Sequence, residues 1–363
     1  MRLLLTRLDE HFGPESLTVL ATYQCTAACK ECCFECGPHL RERLPREVIL
    51  DVIRQAAQFK TLRYVVFSGG ECFLLHQDLI DAVALASSFG LSVRCVTNGY
   101  WAVNEQAALA RLKPLVEAGL TELNISTGDD HQEYVPFQRV ITGAMTAARL
   151  GIKTLIVVEG SKNSKFKAED ARNHPDFLTF KESDPAGDNL SIISNVWIPF
   201  HEDRQLVHEK SLIRNPDENF KVQGCDNILE NFVLTPSHQM ASCCGLTMEH
   251  IPEMKLGDVR KHPIKELYFN QFEDFLKIWI YVDGPERIIR FAQKHNQSIR
   301  VDNTVHPCQA CATLYLRPEI RKTLKDNYQE VIDDVMRRFY LKLALRKYTE
   351  KFFRESPGIK HGA

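Results

Sequence analysis

Through residues 17–197, short β-branched runs alternate with stretches whose apolar positions recur at helical spacing. The runs at 17–21, 64–67, 91–96, 122–126, 154–158 and 192–197 predict strands. The stretches at 46–59, 79–89, 105–118 and 138–150 predict helices apolar on one face, and Gly90, Gly119 and Gly151 follow three of them as C-caps. Repeated βα units imply a parallel sheet, and right-handed crossovers curl it into a partial (βα)6 TIM-like barrel, an α/β fold. Six strands fall short of the eight of a closed barrel, and the active site is expected at the C-terminal edge of the strands.

After Trp197 the pattern changes to a polar stretch, then a cysteine-rich segment with turn signals, then charged helical spacing to the end. A length of 363 residues allows one large domain or two. We expect a barrel over 15–200, a small second region over 220–315 and a helical tail over 318–355. Apolar positions in the tail predict packing on the body, the alternative being a docking surface for a peptide. No internal repeat beyond the βα period is visible.

Composition alters this picture little. Apolar residues make up 44% and charged residues 25%, as in ordinary globular chains. A net charge of -2 argues against a large nucleic-acid footprint. No apolar run approaches the roughly 20 residues of a membrane span, and the N-terminal apolar stretch is too short for a secretory signal, so a cytoplasmic protein without a membrane partner is expected.

The twelve cysteines carry the chemistry. Five lie between Cys25 and Cys36, five more are Cys225, Cys243, Cys244, Cys308 and Cys311, and Cys72 and Cys95 stand apart. In a reducing compartment such clusters indicate metal or catalysis rather than disulfides, and two groups indicate two metal sites. Cys25, Cys29 and Cys32 form C-x3-C-x2-C in the loop after the first strand. Three thiolates would leave one iron of a cubane open to a cofactor or substrate. A zinc knuckle or unrelated thiols are the alternatives.

This loop, followed one βα unit later by Gly69, Gly70 and Glu71 in FSGGECF, resembles the radical SAM superfamily. The resemblance implies a [4Fe-4S] cluster whose open iron chelates S-adenosylmethionine (SAM) and whose electron cleaves it to methionine and a 5'-deoxyadenosyl radical. It also implies contact of the Gly-Gly-Glu motif with the SAM amino group, and places Asn98 and Ser126 near the SAM ribose and sulfonium. Glu31 stands where relatives often have an aromatic residue, so adenine packing must come from elsewhere. A reductant such as flavodoxin or ferredoxin is implied as a partner.

Cys225 and Cys243 flank an apparent hairpin, LGDV resembles the turn after it, and Cys308 and Cys311 close with C-x2-C. This order resembles the twitch form of the SPASM extension, which implies a second, auxiliary [4Fe-4S] cluster; a zinc ribbon is the alternative. Whether Cys243 or its neighbour Cys244 is the ligand stays open. Cys33 and Cys36 are packed thiols, redox partners or hydrogen-atom donors, and Cys72, tethered beside Glu71, leads as the catalytic donor. Asp129, Asp130, His131 and Glu133 are candidates for substrate binding or acid-base work at the same edge.

The resemblance makes the chain an oxidoreductase acting on a ribosomally made peptide by crosslinking, oxidation or epimerisation. The alternatives are a radical dehydrogenase of a small alcohol or amino sugar and, in another class, a non-catalytic zinc-binding interaction protein. Residues 1–14 leave no space for a winged-helix peptide-recognition domain ahead of the first strand, which keeps the dehydrogenase in view.

Overall fold

Strands β1 (Ser16–Leu20), β2 (Tyr64–Ser68), β3 (Ser92–Thr97), β4 (Glu122–Thr127), β5 (Lys153–Gly160) and β6 (Leu190–Val196) pair in parallel, each beside its sequence neighbour. All six coincide with the predicted runs to within a few residues. A computed structural model describes residues 12–183, 189–198, 207–214, 224–301 and 304–355, with side chains to residue 346. The N-terminal apolar stretch and most of the polar stretch at 201–224 lie outside these residues.

Helices α1 (Arg46–Ala56), α2 (Gln77–Ser88), α3 (Glu105–Glu117) and, beyond the short α4 (Asp129–Gln132), α5 (Phe137–Arg149) make the crossovers. α6 (Ala168–Arg172) and α7 (Pro175–Ser183) join β5 to β6. Their apolar faces are buried against the sheet, as Ile49, Val52, Ile53 and Ala56 of α1 show.

The cysteine-rich region does not stand apart from the barrel. β7 (Asn231–Leu234) pairs in parallel with β1, Ser16 opposite Asn231 and Val19 opposite Leu234. β8 (Gln239–Ala241) and β9 (Lys255–Asp258) follow antiparallel, giving one nine-stranded sheet ordered β6-β5-β4-β3-β2-β1-β7-β8-β9. β1 is therefore flanked on both edges, and all five of its residues are buried. The predicted hairpin is β7–β8, but Leu256, Gly257 and Asp258 of LGDV belong to the third strand rather than to a turn.

Beyond the sheet come α8 (Ile264–Asn270), α9 (Phe275–Asp283), α10 (Pro285–His295), α11 (Pro307–Leu316), α12 (Pro318–Asn327) and α13 (Ile332–Glu355). The tail packs on the body: Phe339 of α13 is buried against Phe12, Phe272 and Tyr281. Arg346 reaches Glu15 at 2.9 Å and Glu230 at 3.2 Å, the residues just before β1 and β7, and so ties together the starts of the two strands.

Candidate active site

The loop after β1 folds back on itself through backbone bonds from Leu44 N to Ala21 O (2.9 Å), Gly37 N to Tyr23 O (3.2 Å) and Cys25 N to Gly37 O (3.2 Å). Cys25, Cys29 and Cys32 consequently border one cavity of about 400 Å³ inside the sheet, together with Gly69, Gly70, Asn98 and Ser126. Gly70 N donates to Thr22 O at 2.7 Å and Glu71 N to Gln24 O at 3.0 Å, pulling the turn after β2 against the cysteine loop. A Cβ at Gly70 would lie 2.2 Å from Gln24 O, and Gly69 has φ +121°, so the approach requires both glycines.

Glu71 is placed differently from the expected SAM contact. Its carboxylate is fully buried and does not border the cavity. It accepts from Asn98 N (2.9 Å), Phe73 N (3.0 Å) and the Thr97 hydroxyl (2.8 Å), so it braces the turn that presents Asn98. Asn98 in turn donates from its amide to Thr26 Oγ1 at 3.0 Å and to Cys25 Sγ at 3.6 Å. The glycine backbone faces the cavity while the Glu71 side chain acts from behind it.

Burial raises the Glu71 carboxyl to about 7, outweighing the backbone and Thr97 donors that pull it down. Between the usual carboxylate value and 7 the folded chain holds the extra proton, so this contribution favours folding at acid pH and is lost as pH rises through 7. Glu71→Gln would turn an amide against one of these donors. It is expected to cost about 1–3 kcal/mol at neutral pH and to flatten the stability profile between about pH 5 and 7.5, read from urea midpoints.

The thiols differ in their electrostatics. Burial, then the nearby Glu71 charge, pushes Cys25 up to about 12. Cys32 goes down to about 6, first through the neighbouring Cys36 side chain and then, against the opposing effect of burial, through backbone donors that include Cys36 N, 3.4 Å away. Cys36 therefore supports Cys32, and Cys33 lies beside it on the cavity wall.

Cys72 is not brought into the cavity. Its thiol is fully buried and donates to Val96 O at 3.2 Å, with Cys95 as its other sulfur neighbour.

The acidic segment after β4 divides by role. His131 borders the cavity, held by Glu159 at the end of β5 through Nδ1···Oε2 at 2.9 Å and set edge-on to Trp197 at 5.1 Å. Asp129 accepts from Lys165 N and Phe166 N, Asp130 N donates to Glu159, and Glu133 meets Lys30 at 3.7 Å. Phe34, Tyr64 and Trp197 supply the aromatic surface that Glu31 does not. Glu159 and Trp197 had only their strand-end positions to mark them in the sequence.

The second cysteine group surrounds a separate cavity of about 110 Å³, bordered by Cys225, Cys243, Cys308 and Cys311. Cys308 and Cys311 lie three residues apart on α11, whose N-terminus is capped by His306 Nδ1 accepting from Cys308 N at 3.2 Å. Burial raises all four thiols, Cys308 to about 12.

Cys244 faces the other way. It borders the 400 Å³ cavity, not the smaller one, and its thiol donates to Asn227 Oδ1 at 3.6 Å. Neighbouring residues leaving β8 thus point to opposite sides, as successive side chains do in extended chain. Of the two thiols that the sequence left open as ligands, Cys243 borders the smaller cavity and Cys244 the larger, a direction that sequence reasoning did not supply. Two contacts tie the sites together: His250 Nε2 to Cys33 O at 3.0 Å, and Tyr23 hydroxyl to Glu249 at 2.8 Å. Asn227 and Met248 border both cavities.

The profile of the Radical SAM superfamily matches residues 19–161, which run from β1 through the cysteine loop to the end of β5. Residues 19–161 are a radical SAM domain. The chain is 25% identical over 112 residues to YydG of Bacillus subtilis (strain 168), a protein named for peptide biosynthesis; the match covers 31% of this chain and 35% of that relative, about a third of its length. Two solved structures share the fold. Native anSMEcpe with bound AdoMet and Kp18Cys peptide has a TM-score of 0.52 at 14% identity, over 88% of this chain and 99% of that one. Streptococcus suis SuiB bound to precursor peptide SuiA has a TM-score of 0.52 at 14% identity, over 74% and 68%.

The radical SAM match over residues 19–161 implies a [4Fe-4S] cluster and SAM as cofactors, and the donor set fits them. Cys25, Cys29 and Cys32 would hold the cluster, while the Gly69–Gly70 backbone, Asn98 and Ser126 would line the SAM site. The observation that supports the fit is the close packing of the Gly69–Gly70 turn on Thr22 O and Gln24 O, which only glycines allow and which leaves that turn on the wall of the cavity the three thiols border. A second cluster, if one binds, would be held by Cys225, Cys243, Cys308 and Cys311. Cys308→Ala with Cys311→Ala is expected to lower iron by roughly four atoms per chain while SAM binding persists, measured by metal analysis and equilibrium dialysis, and to loosen the C-terminal region because metal binding is linked to folding.

Proposed function

We propose that the chain is a peptide maturase that epimerises an α-carbon of a ribosomally made peptide. The observation that carries this reading is the Cys244 thiol on the wall of the cavity that Cys25, Cys29 and Cys32 border. Inversion needs a hydrogen atom removed from one face and another returned to the opposite face. When bound, the cluster and SAM would supply the 5'-deoxyadenosyl radical that removes the first.

The protein's own residues supply the rest. Cys244 breaks its S–H bond and forms the new C–H bond, leaving a thiyl that needs one electron and one proton to return to the thiol. Asn227 Oδ1 orients the Cys244 thiol, and burial keeps it protonated by raising it to about 11. Ser16, Thr18, Tyr64, Arg94 and Asn231 also border the cavity, near the strand starts, with Ser16 bonded to Asn231 and Arg94 paired with Glu122.

A peptide substrate is supported by YydG, named for peptide biosynthesis, and by the peptide-bound states of SuiB and anSMEcpe. The second electron source would be a low-potential carrier of the flavodoxin or ferredoxin kind. No helix among the described residues is long and apolar enough to cross a membrane, consistent with action in the reducing cytoplasm. The test is turnover in heavy water. Epimerisation gives product with one solvent deuterium at the inverted carbon, whereas oxidation or crosslinking through the auxiliary site gives none.

A further inference from the structure

On the outer side of the barrel, separate from the substrate cavity, an open cleft of about 570 Å³ lies between the loop after β3 and helices α3 and α5. Tyr100, Trp101, Val103, Ala107, Arg111 and Arg139 border it, and Val103 is exposed. The two arginines come from different helices. Arg111 donates to His76 Nδ1 at 2.9 Å and Arg139 to Tyr100 O at 3.2 Å. Among the described residues neither pairs with a carboxylate, whereas the nearby Arg43, Arg46 and Arg149 all do. Two guanidiniums thus keep their charge on a concave surface of a chain whose net charge is -2.

The base of this cleft adjoins the cysteine loop. Tyr100 N donates to Asn98 Oδ1 at 3.0 Å, and Asn98 Nδ2 donates to Cys25 Sγ at 3.6 Å. Trp101 Nε1 donates to Thr97 Oγ1 at 3.1 Å, and Thr97 donates to Glu71. The cleft therefore lies two residues and one N–H···S contact from a thiol of the cluster site. It shares no bordering residue with the 400 Å³ cavity, so a protein seated here leaves substrate entry free.

We propose that this cleft is where a small acidic one-electron carrier protein docks to reduce the cluster held by Cys25, Cys29 and Cys32. Charge complementarity selects the occupant: surface carboxylates of the carrier replace those the arginines lack here, steering association in a salt-dependent way. Half-buried Tyr100 and exposed Val103 give the contact an apolar element beside that charge, while Trp101 is buried beneath them against Phe73. The step is a single electron passing from the reduced carrier to the oxidised cluster, with no bond made or broken. The proposal rests on the cluster assignment above.

The experiment uses cluster-reconstituted protein and a flavodoxin in its hydroquinone form. Kd is measured by calorimetry, and cluster bleaching is followed by anaerobic stopped flow in wild type and in Arg111→Glu with Arg139→Glu. The variant is expected to weaken flavodoxin binding roughly tenfold or more, to slow reduction by flavodoxin comparably, and to lose most of the salt dependence of the rate. Bleaching by dithionite and SAM binding should be unchanged, which also shows that the variant folds; Arg111→Gln with Arg139→Gln is the substitute should charge reversal unfold it. Flavodoxin Kd and reduction rate within twofold of wild type would overturn the proposal, as would weakened peptide binding with flavodoxin binding intact. A wild-type protein that dithionite fails to bleach would instead reject the cluster assignment, while the Kd comparison still reports on docking.

Discussion

Replacing Cys25, Cys29 and Cys32 together by alanine is expected to remove roughly four iron atoms per chain and to abolish 5'-deoxyadenosine formation from SAM under reducing conditions. These thiols border one cavity with Gly69, Gly70, Asn98 and Ser126, and the cysteine set of the second cavity is complete with four. A cluster held by these three thiols alone would leave one iron open to SAM, whereas one held by four would not. Iron analysis and chromatography of the nucleoside products measure the two effects. Persistent SAM cleavage in the triple variant would remove the basis for assigning chemistry to this loop. Iron bound at the second site should remain, since Cys225, Cys243, Cys308 and Cys311 border a separate cavity.

The second large effect separates two adjacent residues. Cys244→Ala is expected to retain both clusters, SAM binding and hydrogen abstraction, yet to yield no inverted product and no solvent deuterium in the peptide. Cys243→Ala is expected to lose auxiliary iron. The contrast follows from geometry, because Cys243 borders the 110 Å³ cavity and Cys244 the 400 Å³ cavity. Cys72→Ala should leave deuterium uptake intact, as its thiol is committed to Val96 O. Measured by chiral amino-acid analysis and mass spectrometry, full inversion by Cys244→Ala would exclude this thiol as the donor. Product without deuterium from wild type would favour the oxidative readings instead.

Much of the fold is legible in the amino-acid pattern because its signals are local. A β-branched run such as YVVF at 64–67 and a helical period such as that of 46–59 each declare themselves within a dozen residues, and sequential parallel pairing follows from βα alternation. The cysteine loop and the two glycines after β2 are equally local. They can be recognised because the chemistry they serve demands closely spaced thiols and a turn without side chains.

What local pattern cannot carry is direction and long-range pairing. The parallel match of β7 to β1 joins residues more than 200 positions apart, and four-residue β7 has too few positions to announce a partner. Cys243 and Cys244 look alike in sequence, and only the path of the chain leaving β8 turns one thiol to each cavity. Glu71 reads as a ligand for SAM until the turn after β3 supplies Thr97 and Asn98 N–H as its donors. Arg111 and Arg139 lie 28 positions apart on different helices and meet only because those helices pack side by side.

The sequence by itself therefore determined the βα order, the loop of Cys25, Cys29 and Cys32, the Gly69–Gly70 turn and the existence of a second cysteine group, all written in spacing and periodicity. The tertiary structure alone decided which thiol faces which cavity, that Cys72 is packed away, and that the second group hangs on β1 through β7. The physical reason is that spacing along a chain constrains near neighbours. The facing of a side chain across a sheet depends on contacts between segments whose separation in sequence carries no signal.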